Sequence, residues 1–167
     1  MTSSQAVVLV GPMGVGKTTI GKKLAKALER KFVDSDDVIT KAHGEISAIF
    51  ADRGEKVFRE LESDAVIALL NDPIVLATGG GAVLNERTRQ ALSFATVIYL
   101  STDGKHIGAR LRGGKRPLIK NGMSDWRAIY EARRHLYEEV ADITIDTSAK
   151  SLHETLETIS EELRKID

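Results

Sequence analysis

The chain contains no cysteine, which excludes a disulfide framework, a thiolate metal site and a cysteine nucleophile. It has no excess of either charge. Its 24 Lys+Arg against 24 Asp+Glu leave a formal net charge of zero, so nothing global draws it to nucleic acid or an anionic membrane. No apolar run approaches the roughly 18–20 residues of a membrane span. Residues Met1–Gln5 lack the positive charge that opens a signal peptide, and the apolar stretch Ala6–Val10 is too short for one. A cytoplasmic protein is expected. No linker, internal repeat or low-complexity tract divides the sequence. What is present is 42% hydrophobic and 29% charged residues over 167 positions, a balance that excludes disorder and predicts one compact domain spanning 1–167.

Two kinds of segment alternate along that domain. Short β-branched runs at 6–10, 31–34, 74–77, 96–100 and 142–145 suit strands buried on both faces. Helix-like stretches lie between them, at about 17–29, 37–51, 55–70, 85–94, 103–111, 124–139 and 150–165. In the last, Leu152, Leu156, Ile159, Leu163 and Ile166 recur at 4, 3, 4, 3 to make one apolar stripe. The alternation predicts an α/β fold of βαβ units, with a parallel sheet covered on both sides. One segment breaks the pattern: 112–122 holds three glycines, a proline and four cations. It reads either as a surface loop or as a mobile lid that closes on an anionic ligand.

Residues Gly11-Pro12-Met13-Gly14-Val15-Gly16-Lys17-Thr18 match G-x-x-x-x-G-K-[ST], between the first strand and the first helix. Glycines there let successive backbone N–H groups converge on one concavity, and the helix N-terminus adds positive potential for a phosphate chain. Lys17 would reach the terminal phosphates and the Thr18 hydroxyl would ligate magnesium. A nucleoside triphosphate is therefore the expected ligand. Neither D-x-x-G nor N-K-x-D occurs, which removes a GTPase switch, and the third strand ends in Ala77-Thr78-Gly79-Gly80-Gly81 without a carboxylate. A small-molecule kinase is the class that remains.

Acceptor-side candidates follow from position and charge. Asp34 and Asp36 close the second strand, and period-two alternation sends them to the same side, toward the crevice at the carboxyl ends of a parallel sheet. One carboxylate could serve the magnesium shell and the other an acceptor hydroxyl; a helix N-cap is the competing role, better suited to Asp36 or Asp37. Three consecutive glycines at 79–81 suggest that backbone touches a ligand. Arg59 and Glu62, three apart on one helix, either pair on the surface or serve the site. Arg133 falls inside the apolar stripe of Trp126, Ile129, Tyr130, Leu136, Tyr137 and Val140, while Arg134 points elsewhere. A cation facing inward needs an anion, supplied by a ligand carboxylate or by a buried Asp or Glu. The four histidines show no metal-ligand spacing, and Trp126 and Tyr137 read as core.

In order along the chain stand the P-loop 11–18, Phe32-Val33-Asp34-Ser35-Asp36, Phe58-Arg59-x-x-Glu62, Gly79-Gly80-Gly81, Arg116-Pro117-Leu118 and Arg133-x-x-Leu136-Tyr137. This ordered set resembles the bacterial shikimate kinases from Ala6 to about Leu163. The resemblance implies a five-stranded parallel sheet in order 2-3-1-4-5, the three-layer fold of nucleoside monophosphate kinases with a mobile lid. It implies ATP-dependent phosphorylation of the shikimate 3-hydroxyl, with Mg2+ as cofactor and no nucleic-acid or membrane partner; a monomer is expected. Residue roles come with it. Gly11, Gly14, Val15, Gly16, Lys17, Thr18 and Thr19 would hold ATP, with Thr18 and, through water, Asp34 at the metal. Asp36 would meet the acceptor hydroxyl, as base or as orienting group. Arg59 and Arg133 would grip the shikimate carboxylate, Gly80 and Gly81 would touch the ring, and Glu62 would support them. Arg116 would swing in toward the transferring phosphoryl group, and Arg110, or its rival Arg112, would stack near adenine. Ile119 stands where a leucine is common.

Overall fold

Every residue of β1 (Val7–Val10) is buried, which requires cover on both faces of the sheet. The computed structural model describes residues 5–111 and 121–166 and shows that cover. β1 pairs in parallel with β3 (Val75–Ala77) on one side and β4 (Thr96–Ser101) on the other. β2 (Phe32–Asp34) extends the sheet beyond β3, and β5 (Ile143–Asp146) extends it beyond β4. The order is β2-β3-β1-β4-β5, the 2-3-1-4-5 arrangement expected. Val7 and Leu9 point to a layer formed by α1 (Lys17–Ala27) and α7 (Leu152–Ile166). Val8 and Val10 point to the opposite layer, which Val66 of α3 (Ile46–Leu69), Leu92 of α4 (Glu86–Leu92) and the aromatics of α6 (Met123–Val140) fill. Helices on both faces of a parallel sheet make the three layers.

The edges differ from the uniformly buried strands that the sequence predicts. In β5, Ile143 and Ile145 are buried while Thr144 and Asp146 are exposed, and all three residues of β2 are only half-buried. An edge strand has a neighbour on one side only, so its cover is incomplete. The stripe of α7 likewise fades at its end, where Ile166 is 48% exposed.

The expected helix at 37–51 is two elements. α2 (Ser35–His43) stops at Gly44, whose φ of 90° places it in the left-handed region that ends helices, and α3 starts at Ile46. A second glycine, Gly54 (φ 86°), breaks α3, at the boundary expected between 51 and 55. These two turns fold α2 and α3 back on each other around Ile39, Ile49 and Phe58. A short 3-10 turn (Ala82–Leu84) follows the triple glycine. The helix expected over 103–111 shrinks to α5 (Gly108–Leu111) after a run of turns. The lid residues at 112–120, with Arg112 and Arg116, and the Arg110 side chain lie outside the described residues.

Candidate active site

The carboxyl ends of β1 to β4 open into two joined pockets, as the crevice rule for parallel sheets requires. The larger, about 790 Å³, is lined by Gly14, Val15, Gly16, Lys17, Thr18 and Thr19 of the P-loop and its helix. Gly11 (φ 147°) cannot be replaced there, because a Cβ would sit 2.6 Å from the Leu100 carbonyl oxygen. Gly14 (φ 82°) and Gly16 (φ 105°) supply the left-handed turns that aim N–H groups inward. Lys17 Nζ donates to the carbonyls of Gly11 (2.6 Å) and Pro12 (2.9 Å), so its ammonium is already curled over the loop.

Thr18 Oγ1 donates to Asp34 Oδ2 at 3.0 Å. These two oxygens at the pocket wall fit a hard cation that takes oxygen ligands and keeps most of its water and phosphate partners. Among the described residues no group of three or more His, Cys, Asp or Glu could hold a metal ion. Asp34 Oδ1 accepts from the Asp36 backbone N–H at 2.9 Å, so Asp34 is the N-cap of α2. The sequence reading weighed a cap only as the competing role, for Asp36 or Asp37 rather than for Asp34. It also placed Asp34 and Asp36 on one strand, whereas Asp36 belongs to the first turn of α2. Both still face the larger pocket, through the strand-to-helix turn rather than through alternation.

The smaller pocket, about 280 Å³, shares Met13, Asp36 and Gly80 with the first and continues to Phe58, Arg59, Glu62, Gly81 and Arg133. Arg59 is paired, and the pair is buried rather than superficial. Its Nη1 meets Glu62 Oε1 at 2.9 Å with only 2% of the Glu62 side chain exposed, and its Nε meets Glu55 at 3.3 Å. The guanidinium also lies 5.0 Å from the Phe58 ring centre and 5.8 Å from that of Phe50. Glu62 Oε2 is buried and has no hydrogen-bond partner among the described residues. Burial, more than any neighbour, pushes the Glu62 and Asp36 carboxyls above their ordinary values; Asp34 adds to the shift of Asp36.

Arg133 is 5% exposed and faces inward with Trp126, Tyr130 and Tyr137, as the stripe requires. Among the described residues no Asp or Glu pairs with it, and Glu55 acts only as a distant charge. Burial pulls its pKa down. Arg134 is on the other side, half exposed, with Glu131 at 3.3 Å and Glu138 at 3.7 Å.

The glycines at 79–81 serve side chains as well as any ligand. A Cβ on Gly79 would stand 2.9 Å from Glu62 Oε2 and 3.0 Å from Asp36 Oδ1, and one on Gly81 would overlap the Arg59 guanidinium. None of the three has positive φ, so close approach is what requires glycine there. Gly80 and Gly81 line the smaller pocket and Gly79 does not.

Sequence reasoning missed Thr40, Glu45, Ile46, Ser47 and Phe50 as pocket walls. His43-Gly44 was the available signal, a C-terminal helix stop inside an otherwise helical run. It also missed polar work by two core aromatics: Trp126 Nε1 donates to the Met13 carbonyl at 2.9 Å, and Tyr137 Oη to the Gly80 carbonyl at 2.5 Å.

A P-loop beside a compact pocket that holds Arg59 and Arg133, on a sheet of order 2-3-1-4-5, defines a P-loop kinase of small molecules. A family model for shikimate kinase matches residues 13–164. A shikimate kinase of Streptomyces coelicolor is 45% identical over 156 residues, 91% of each chain. The solved structure of Acinetobacter baumannii shikimate kinase in complex with shikimate superposes with a TM-score of 0.92 at 36% identity, covering 98% of this chain and 94% of that one. A gluconokinase from Sinorhizobium meliloti shares the fold alone, at 14% identity and a TM-score of 0.60. The chain belongs to the shikimate kinase family. Among the described residues no helix is long and apolar enough to cross a membrane.

Proposed function

We propose that the protein transfers the terminal phosphoryl group of ATP to the 3-hydroxyl of shikimate, giving shikimate 3-phosphate and ADP on the route to chorismate and the aromatic amino acids. The observation that carries this reading is Arg133, paired with no carboxylate among the described residues, beside Arg59 in a pocket that meets the P-loop pocket at Asp36. Two guanidinium groups select an acceptor bearing a carboxylate; a nucleotide acceptor would call for groups that read a base.

In this mechanism the P-loop N–H groups and Lys17 bind the phosphates, Gly11, Gly14, Val15, Gly16 and Thr19 shaping that cradle. Thr18, with Asp34 through water, would hold Mg2+, which would supply charge neutralisation on the phosphate oxygens. Arg59 and Arg133 clamp the shikimate carboxylate, Gly80 and Gly81 bear on the ring, and Glu62 braces Arg59. The 3-hydroxyl then lies at Asp36. Its oxygen bonds to the γ-phosphorus as the bond to the ADP oxygen breaks, and Asp36 accepts the hydroxyl proton. A carboxyl with a raised pKa is better matched to that proton than an ordinary one. Arg116 and Arg110 complete the reading as the phosphoryl-facing and adenine-facing cations. A coupled ADP-release assay across shikimate, gluconate and nucleoside monophosphates tests it. Turnover with shikimate alone is expected; turnover with gluconate and none with shikimate would overturn it.

A further inference from the structure

Arg133 poses a physical problem that the proposed clamp does not solve. A guanidinium 5% exposed, with no carboxylate of the described residues on it, must still place its N–H groups somewhere and hold one orientation. One turn further along α6 lies Tyr137, 1% exposed. Its hydroxyl donates to the Gly80 carbonyl at 2.5 Å, and the Arg133 guanidinium, one turn back on the same helix, is its electrostatic neighbour. Gly80 closes the triangle, since a Cβ built on it would stand 3.7 Å from Arg133 Nη1.

We infer that Tyr137 is a positioning residue for acceptor recognition: bonded to the Gly80 carbonyl, its hydroxyl accepts from Arg133 and aims an un-neutralised guanidinium into the acceptor pocket. The choice of a phenol is physical. An Asp or Glu in its place would orient Arg133 equally well but would also cancel its charge, and the ligand carboxylate would then compete with an internal one. A neutral oxygen satisfies an N–H and leaves the charge free for the ligand. The phenol must keep its proton to do this, and burial pushes its pKa up to about 12, so it stays neutral throughout the physiological range. The ring cannot easily turn away, being stacked 5.3 Å from Tyr99 and tilted against Tyr130 at 6.1 Å. Arg59 is oriented differently, by Glu55 and Glu62, so of the two guanidinium groups Arg133 is the one that brings net charge to the pocket.

This inference rests on the proposed role of Arg133, and its test separates the two. Tyr137→Phe removes the hydroxyl and keeps the ring. The KM for shikimate should rise about tenfold while kcat and the KM for ATP stay within about twofold. In an Arg133→Ala background the same change should add less than about twofold, because the two act as one unit. Without substrate, NMR of the Arg133 Nη groups should show hindered guanidinium rotation in the wild type and fast rotation in Tyr137→Phe. Unchanged rotation overturns the inference. So does an additive KM effect, or a fall in melting temperature with kcat and both KM values degraded together. If the wild type fails to phosphorylate shikimate yet the rotation differs as expected, the proposed substrate falls and the positioning role stands.

Discussion

Replacing Arg133 with methionine separates ligand recognition from structural pairing, because the two roles predict clearly different changes in stability. The side chain is 5% exposed, burial depresses its pKa, and no carboxylate among the described residues pairs with it. A methionine of similar length fills the space without the charge. Exchanging buried ion pairs for packed apolar residues is typically neutral or stabilising by about 1–4 kcal/mol, and a lone buried charge bears the desolvation cost without a partner's attraction. The lost hydrogen bond to Tyr137 removes about 0.5–1.5 kcal/mol of that. The unliganded variant should therefore range from about 1.5 kcal/mol less stable to about 3.5 kcal/mol more stable. A residue closing a buried ion pair would instead cost about 3–5 kcal/mol when removed.

Activity should move the other way. Each charge-assisted hydrogen bond to the substrate carboxylate contributes about 1.5–3 kcal/mol, so the KM for shikimate should rise roughly 10- to 150-fold with the KM for ATP nearly unchanged. Denaturant melts of the apo protein and a coupled ADP-release assay read the two effects. Arg134→Ala is the control: that residue is half exposed and held by Glu131 and Glu138, and its loss should change neither quantity. A variant destabilised by several kcal/mol with an intact shikimate KM would refute the reasoning. So would the same shikimate defect in Arg134→Ala.

Lys17→Ala should lower turnover at least about a hundredfold without unfolding the domain, checked by steady-state kinetics beside circular dichroism; wild-type turnover would refute the P-loop role. Gly81→Ala should raise the shikimate KM about tenfold, because its φ of −100° suits alanine and the added Cβ acts only by displacing Arg59. Gly44→Ala should do the reverse, costing about 1 kcal/mol of stability from its φ of 90° in open space, with little change in KM. Asp36 has a folded-state pKa above its ordinary value, so the stability of its protonated form is full below the usual carboxylate range and is lost as pH rises through the elevated value. The melting temperature of Asp36→Asn relative to wild type should therefore climb as pH rises from about 4 to 7, and a flat difference would contradict the burial. The same variant should lose kcat far more than ATP affinity, measured by titration calorimetry.

What the sequence made legible was what local chemistry determines. A strand–glycine–lysine–helix run can form only one kind of anion cradle, and a lone arginine among Trp126, Tyr130 and Tyr137 can face only inward on a helix. Strand order 2-3-1-4-5 came from resemblance, since periodicity carries no information about which strands become neighbours. The acceptor pocket was half hidden for a related reason. Its far wall depends on where Gly44 stops α2 and Gly54 bends α3, and a run rich in helix formers masks both stops unless each glycine is weighed as a terminator. Asp34 and Asp36 reached the correct side by an incorrect route, because a cap residue and the first turn of its helix can share a face as readily as alternate strand positions. The hydroxyl of Tyr137 and the indole N–H of Trp126 were invisible as polar groups, since apolar periodicity weighs the ring and not the atom at its edge.

Those two edge atoms explain how one helix can serve both pockets. α6 contacts the donor side where Trp126 Nε1 holds the Met13 carbonyl, and the acceptor side where Tyr137 holds the Gly80 carbonyl. Met13 and Gly80 are also residues shared by both pockets, and a Cβ on Gly80 would stand 3.3 Å from the Met13 backbone nitrogen. The distance between a bound phosphate chain and a bound acceptor is therefore set by backbone segments that touch each other and are tied to a common rod. Phosphoryl transfer gains most of its acceleration from such placement, because the reaction asks for little covalent help from the protein. Charge follows the same division. Arg59 is largely neutralised by Glu62 and Glu55, Arg133 is paired with no carboxylate among the described residues, and its positive charge stands on the tied helix rather than on α3, which turns at Gly54. On the proposed reading, an acceptor carboxylate on Arg133 would be held to the element that also ties down Met13 of the P-loop, so that binding the acceptor and aligning it with the donor would be one event.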